Sequence, residues 1–509
     1  MKLIAMYLPQ FHRVKENDEW WGEGFTDWTS AREAKQLFDG HYQPRVPQNQ
    51  NYYDLLEKDT MMWQASLMKQ YGVDGVCIYH YWFRDGRQIL EKPAENLLQW
   101  QDIDMPFCFC WANETWARSW SKRMNVNVWS DFHEMPEKDV PNGILLEQQY
   151  GDEQQWKAHF DYLLPFFQDK RYITVDDKPL VVIYKAEDIP CLTEMLEYWT
   201  KLACSHGLRG IYVIGGGNVS TEAGHVDAGL LKAPSKYMGE KEVLNETKTN
   251  NVNVWEYDDV WNAILEKKDA DRTYYQGFVD YDDTPRRGNK GNVVVHATPE
   301  KFSHYLTELM AKSKAEGKDL LFLNAWNEWG EGMYLEPDEK YGEDYLRAVL
   351  YAKEHYQMEI NKYLQKDNGQ VSDQMPEQLE KLGRYRDKIL HYLHLMDYWM
   401  TLQESGVSLA EKLLDFGYGL VAIYGYGIPG KHLYNQLQSN GVKVSYIIDR
   451  QKDKLHAEVP IYLPDEDLPE VEAVIVAATY YYTEVYHFLK ERGIPKIISL
   501  ETLLYEDVM

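Results

Sequence analysis

Between residues 2 and 325 the chain repeats one cycle about eight times. A short apolar run of strand length ends abruptly in polar and aromatic residues, and a segment of helical period usually follows. Strands are expected near 2–8, 73–79, 106–111, 179–184, 210–214, 226–231, 275–280 and 319–325. Helices are expected near 53–71, 88–100, 153–167, 192–206, 299–315 and 342–355. Residues 18–47 read as one long polar-aromatic loop, and 232–270 show no clear period. A (β/α)₈ TIM barrel accounts for both the number of cycles and the clusters, because its site is built from the loops that follow the strands. An open doubly wound sheet would want a phosphate loop after its first strand, and Pro9-Gln10-Phe11-His12 contains no glycine.

The 509 residues exceed one ordinary domain and allow a second module. A net charge of −27 argues against nucleic acid or an anionic membrane as the main partner, since each needs a basic face. Small phosphorylated ligands are compatible with it. Seventeen Trp and 39 Tyr suit a carbohydrate-handling surface as well as a large core. The cysteines number five and lack framework or zinc spacing, and Cys77, Cys108 and Cys110 lie in apolar runs. Buried free thiols in a reducing compartment are the expectation, with no metal site. The N-terminus resembles no signal peptide and no run approaches the ~18 apolar residues of a membrane span, so a cytoplasmic location is expected.

The most telling stretch is Leu321-Phe-Leu-Asn-Ala-Trp-Asn-Glu-Trp-Gly-Glu-Gly-Met-Tyr-Leu-Glu336. A buried strand here gives way to Glu328 and Glu331, set among Trp326, Asn327, Trp329 and Tyr334. Two carboxyl groups three residues apart on a turn raise one another's pKa, which suits a general acid at neutral pH. Indole and phenol faces hold sugar rings, and amides bind hydroxyls. Glu336 precedes Pro337, which reads as a loop anchor more than a third catalyst.

Asn327-Glu328-Trp329-Gly330-Glu331-Gly332, continuing to Glu336-Pro337, resembles the signature of the WbsX-type glycosyltransferases. Their domain is similar to that of glycoside hydrolase family 99, the endo-α-mannosidases. Tyr7–His12, Trp20–Trp28, Gly40–Pro44, Phe109–Glu114 and Asp283–Arg287 resemble further blocks of the family, in order, over roughly residues 1–355. Asp27 stands where the family pattern has Glu, and Tyr281-Asp282 where it has Trp-Asp-Asn. The resemblance implies a barrel acting on glycans. It also implies that Glu328 assists the substrate's own 2-hydroxyl as internal nucleophile, with Glu331 as acid/base at the bond.

Other residues at strand ends complete the candidate site. Asn113 and Glu114 read as sugar-hydroxyl ligands, and Trp111 either caps the core or faces the sugar. His80 and Tyr81 follow the second strand. Arg286 and Arg287 form either a surface ion pair or a clamp for a carboxylate, phosphate or acidic sugar. His41, Tyr42 and Arg45 are candidates for a lid.

Residues 359–416 read as a helical linker, with a helical pattern over 377–414, and 417–509 as a small Rossmann-like α/β domain. There Gly425-x-Gly427-x-x-Gly430 follows a strand and opens a helix, with Asp449 about twenty residues on. The turn either binds a nucleotide or nucleotide sugar or is a tight βα turn that binds nothing.

Together these features point to a carbohydrate-active enzyme of surface-polysaccharide or lipopolysaccharide assembly. It would make or break a glycosidic bond on an oligosaccharide, and its barrel chemistry needs no cofactor. An endo-acting hydrolase is one alternative. A sugar-modifying oxidoreductase or epimerase run by the C-terminal domain is another, and a non-catalytic glycan binder a third.

Overall fold

A computed structural model describes residues 1–117, 144–217, 226–238, 247–249, 252–267, 272–367, 388, 391–393, 395–494 and 496–505. It divides into two compact units, Met1–Gly369 and Gln370–Met509. Within the first, eight parallel strands close on themselves. They are β1 (Lys2–Tyr7), β2 (Gly75–Trp82), β3 (Phe107–Trp111), β4 (Lys178–Ile183), β5 (Tyr212–Gly216), β6 (Ala228–Leu231), β7 (Thr273–Phe278) and β8 (Leu320–Asn324). Each pairs with its sequence neighbour, and β1 closes the ring by pairing with both β2 and β8, with Ile4 opposite Gly75 and Phe322. This is the (β/α)₈ barrel that the alternation of apolar runs and helical segments requires.

The strands are apolar along nearly their whole length because both faces are covered, one by the barrel interior and one by helices. On β2, Cys77, Tyr79 and Tyr81 share one face, and Ile78, His80 and Trp82 the other. His80 and Trp82 pack on His159 and Tyr162 of the helix Glu153–Phe167. Phe107, Phe109 and Trp111 of β3 occupy the same outer layer, in contact with Phe166, Tyr172 and His159. Gly75 is held to its residue type by closeness, since a Cβ there would stand 2.7 Å from the Pro106 carbonyl oxygen.

Several expectations need correction. The stretch 18–47 is not one structureless loop. It carries the helices Lys15–Trp21 and Asp27–Glu33, and the second buries Trp28 against Phe11, Tyr53 and Trp329. The stretch 232–270 holds the strand Val252–Glu256 and the helix Tyr257–Glu266. The latter buries Tyr257, Val260, Trp261 and Ile264, a helical spacing present in the sequence. The helix expected at 342–355 runs Asp344–Asp367. Most of the helical pattern at 377–390 lies outside the described residues.

The second unit has a five-stranded parallel sheet: β9 (Leu420–Tyr424), β10 (Lys443–Ile448), β11 (Ile461–Tyr462), β12 (Ala473–Val476) and β13 (Ile497–Ser499). Their order is β11-β10-β9-β12-β13. Among the described residues no helix is long and apolar enough to cross a membrane.

At the N-terminal end of the barrel strands, Arg171 is buried and uses all five of its N–H donors. They reach the carbonyls of Leu97, Trp100 and Ile103 at 2.8–2.9 Å and both oxygens of Asp169 at 3.0 and 2.8 Å. Replacing it removes the cation beside the buried Asp169 carboxylate and a donor from each of three carbonyls. Arg171→Ala is therefore expected to destabilise the barrel by about 3–5 kcal/mol in denaturant unfolding, without altering the opposite end of the barrel.

Candidate active site

At the C-terminal end of β8 the chain forms a tight hairpin. Asn327–Glu328 pairs antiparallel with Met333–Tyr334, and Trp329–Glu331 make a single 3₁₀ turn between them. Gly332 closes the turn at φ 65°. This backbone aims Glu328 and Glu331 at Arg286, which follows β7 at the end of the short helix Thr284–Arg287.

The Arg286 guanidinium binds three carboxyl groups. Nη1 donates to Glu331 Oε1 at 2.5 Å, and Nη2 donates to Glu328 Oε2 at 2.9 Å. Nε and Nη2 also donate to Asp27, at 3.2–3.3 Å. Asp27 comes from the loop after β1 and also accepts from the Gly330 amide at 3.0 Å. Gly330 is part of this fit, because a Cβ there would lie 2.6 Å from Arg286 Nε and 2.8 Å from Asp27 Oδ2. The side chains of Glu328 and Asp27 are 7% and 4% exposed, whereas that of Glu331 is 29% exposed.

Three carboxyl groups against one cation cannot all stay ionised cheaply. Burial, aided by the charges of Glu331 and Asp27 and opposed by Arg286, pushes Glu328 up to about 8. Tyr79 and Tyr81 of β2 lie in the field of Glu328, and Tyr184, just past β4, lies in the field of Glu114, Glu331 and Glu328. Burial and those charges hold all three phenols protonated. Tyr184 stands edge-on to Tyr79 at 6.2 Å and carries Lys232 Nζ 3.5 Å above its ring. Lys185 pairs with Glu114 at 2.6 Å. Among the described residues no group of His, Cys, Asp and Glu has the geometry of a metal site.

The sequence-derived candidates divide sharply. Glu328, Glu331 and Arg286 meet in one cluster, with Tyr81 on the strand face toward them and Glu114 near Tyr184. Trp326 and Trp329 are not sugar platforms in this structure. They are 0% and 1% exposed, and their indole N–H groups donate to Glu336 at 2.9 and 2.7 Å. Tyr334 stacks on Trp329 at 3.7 Å and donates to Asp338. Asn327 clamps the end of β1, accepting from the Leu8 amide and donating to its carbonyl. Trp111 and His80 point into the helix layer by strand parity. His80 contacts His159 at 2.9 Å, and burial pushes it down to about 3. Asn113 ties the loops after β3 and β4 together through both backbone groups of Lys185.

The lid reading of residues 41–45 also needs correction. His41 is buried and accepts from the Leu37 amide at Nδ1, so Nε2–H donates to Asp282 at 2.8 Å. Arg45 is buried against Asp280, and Tyr42 lies beside Arg45 and Lys340. Asp27 entered the sequence reading only as a departure from the family pattern, and Tyr79, Tyr184, Lys185 and Lys232, which lie near the cluster, were not among its site candidates. All but Asp27 lie on β2 or within two residues of a barrel strand end, which was the available signal.

Glu336 is the anchor the sequence suggested. Its carboxylate accepts four hydrogen bonds, from Tyr53, Gln64, Trp326 and Trp329, at 2.7–2.9 Å. Burial nevertheless pushes it up to about 7.

In the second unit, Gly425 (φ 90°) and Gly430 are explained by packing. Cβ atoms there would meet Ala478 Cβ at 2.9 Å and the Gly425 carbonyl oxygen at 2.0 Å. Gly427 would meet nothing within 4 Å. Asp449 accepts from the Tyr426 amide within the glycine turn at 2.7 Å and from the Gln451 amide at 2.8 Å.

The family model "Glycosyltransferase WbsX" matches residues 3–349. The chain belongs to the WbsX glycosyltransferase family. It is also similar to the uncharacterized protein WxcX from two strains of Xanthomonas campestris pv. campestris. Each is 31% identical over 365 residues, which is 69% of this chain and 49% of the relative. The chain thus spans about half the length of the curated relatives it matches. Among solved structures it is similar to the GH99 endo-α-mannosidase of Bacteroides thetaiotaomicron. The match has 14% identity and a TM-score of 0.41, covering 71% of this chain and 98% of that one. A "Glycoside hydrolase-like protein" matches at 12% identity and a TM-score of 0.41, covering 70% and 93%.

Glu336→Gln leaves one acceptor oxygen where there were two and turns an N–H₂ toward two donors. The expected loss is about 1–3 kcal/mol for each donor stranded, read as a shift in the barrel's unfolding midpoint.

Proposed function

We propose that the barrel is the catalytic domain of a carbohydrate-active enzyme that makes or breaks a glycosidic bond in surface-polysaccharide or lipopolysaccharide assembly. The observation that carries this reading is Arg286 tying Asp27, Glu328 and Glu331 into one carboxyl cluster at the mouth of the barrel. Membership of a glycosyltransferase family supports the glycan setting. Glu328 and Glu331 leave one short turn and share one guanidinium, so the two carboxyl groups stand side by side. That arrangement disfavours a nucleophile and an acid placed either side of the scissile bond. It suits a route in which the substrate's own 2-hydroxyl attacks.

In this scheme Glu328 takes the proton of the 2-hydroxyl, and Glu331, the more exposed of the two, protonates the leaving oxygen and then activates the acceptor. Glu328, pushed up to about 8 by burial, is a stronger base when ionised than an ordinary carboxylate. Tyr79, Tyr81, Tyr184 and Glu114 are placed to hold hydroxyls, and Lys185 and Lys232 add positive charge. A nucleotide or nucleotide sugar at the glycine turn of the second unit fits the open space at Gly427. Asp449, already engaged by two backbone amides, has a lone pair left on each oxygen for a ribose.

The test is product analysis of wild type and Glu331→Gln with a panel of α-mannosides and nucleotide sugars. A loss of about 10²-fold or more in release or transfer is expected. If neither depends on Glu331, the mechanism is wrong.

The pH dependence separates the two roles. Glu328 acts as a base only when ionised, so kcat/KM should rise with pH to a midpoint near 8, and Glu328→Gln should remove that limb. A limb that falls through the same pH would make Glu328 the acid. Stability runs the other way. A carboxyl raised by burial contributes stability fully below its unfolded value and loses it as pH rises through about 8.

A further inference from the structure

A second feature of the barrel lies apart from the carboxyl cluster. A cavity of about 490 Å³ opens between the loop after β1 and the loop after β8. Trp329 and Glu336 of the hairpin line it, but Glu328 and Glu331 do not. Its size falls within the range of small-ligand sites, ~300–1,000 Å³.

The rim is chemically unusual. Gln48, Asn49, Gln50 and Asn51 are four consecutive exposed residues with amide side chains. None of these amides has a hydrogen-bond partner among the described residues, although the backbone beneath them is pinned. Gln48 N donates to the Pro337 carbonyl, and Asn49 N donates to Glu339 at 2.6 Å. Asn49 and Gln50 both adopt positive φ, 55° and 53°, a conformation that non-glycine residues seldom take. The chain therefore holds a row of amides at the edge of a cavity on a fixed backbone, at some conformational cost. Solvent exposure alone would not require that.

The floor is aromatic. Trp63, half-buried on the helix Lys58–Tyr71, lies 6.1 Å from Tyr53. Amides that both donate and accept, set around an indole face, match the alternating hydroxyls and C–H faces of a sugar ring. Glu336 and Glu343 stand in the wall and no lysine or arginine lines it, so an anionic ligand is disfavoured.

We propose that this cavity is a second binding site, for a neutral saccharide unit, separate from the catalytic cleft. This rests on the glycan reading of the barrel, but not on the roles of Glu328 and Glu331. Occupying it would place a sugar on the far side of Trp329 and Glu336, which support the catalytic turn. A glycan longer than the cleft holds could then be gripped at two points.

The experiment uses the full chain and neutral methyl glycosides of mannose, glucose and galactose as probes, with binding followed by saturation-transfer NMR and tryptophan fluorescence. Gln48→Ala/Asn51→Ala removes two rim amides at positions where neither residue has positive φ, so the backbone accepts alanine. Binding of at least one glycoside is expected in wild type and equally in Glu331→Gln, with a tenfold or greater loss in Gln48→Ala/Asn51→Ala. Circular dichroism of that variant should match wild type. If no glycoside binds, or if binding survives the double substitution, the second site is overturned. Loss of turnover in Glu331→Gln with cavity binding retained keeps the two proposals distinguishable.

Discussion

The mouth of the barrel depends on one guanidinium. Arg286 reaches Asp27 from the loop after β1 and Glu328 and Glu331 from the loop after β8, so one side chain joins three loops that close the ring. Arginine suits this place because its planar fork offers donors in several directions and stays charged at any working pH. Without it, three carboxyl groups would face one another with little solvent. The cost of such uncompensated charge, several kcal/mol, would be met by proton uptake or by the hairpin moving away. The cluster therefore supports the turn, while burial, aided by the neighbouring carboxyl groups and opposed by Arg286, raises the Glu328 pKa.

A second anchor works from below. Glu336 gathers the indoles of Trp326 and Trp329 together with Tyr53 and Gln64. The turn that carries Glu328 and Glu331 is thus held between a buried carboxylate under it and a guanidinium in front of it. Precision at the site comes from these shells rather than from the hairpin itself, which has only two residue pairs.

Much of the barrel was legible in the sequence. Apolar runs of strand length with helices between them are dictated by burial on two faces, and that pattern survives in one dimension. Glu328, Glu331 and Arg286 were also legible as strand-end residues of the right chemistry. The helix Tyr257–Glu266 was readable from Tyr257, Val260, Trp261 and Ile264, a spacing obscured by the irregular sequence on either side. The role of Trp111 was open to the same kind of argument. It shares strand parity with Phe107 and Phe109, which face the helix layer, so an outward position followed from period two.

Other assignments were beyond the sequence. Whether Trp326 and Trp329 bind sugar or close the core depends on Glu336 capturing both indoles. Whether Asn327 binds a hydroxyl depends on Leu8, more than 300 residues away. Asp27 read as a departure from a family pattern, yet it is the third carboxyl of the cluster. Likewise, the amide row at 48–51 became a cavity rim only when the loop after β8 packed beside it. By itself the sequence determined the barrel, the order of its strands and the presence of Glu328 and Glu331 at its mouth, because hydrophobic periodicity and local chemistry are properties of neighbouring residues. Only the tertiary structure decided which polar and aromatic side chains face the cleft, because a hydrogen bond between distant loops has no signature in either loop alone.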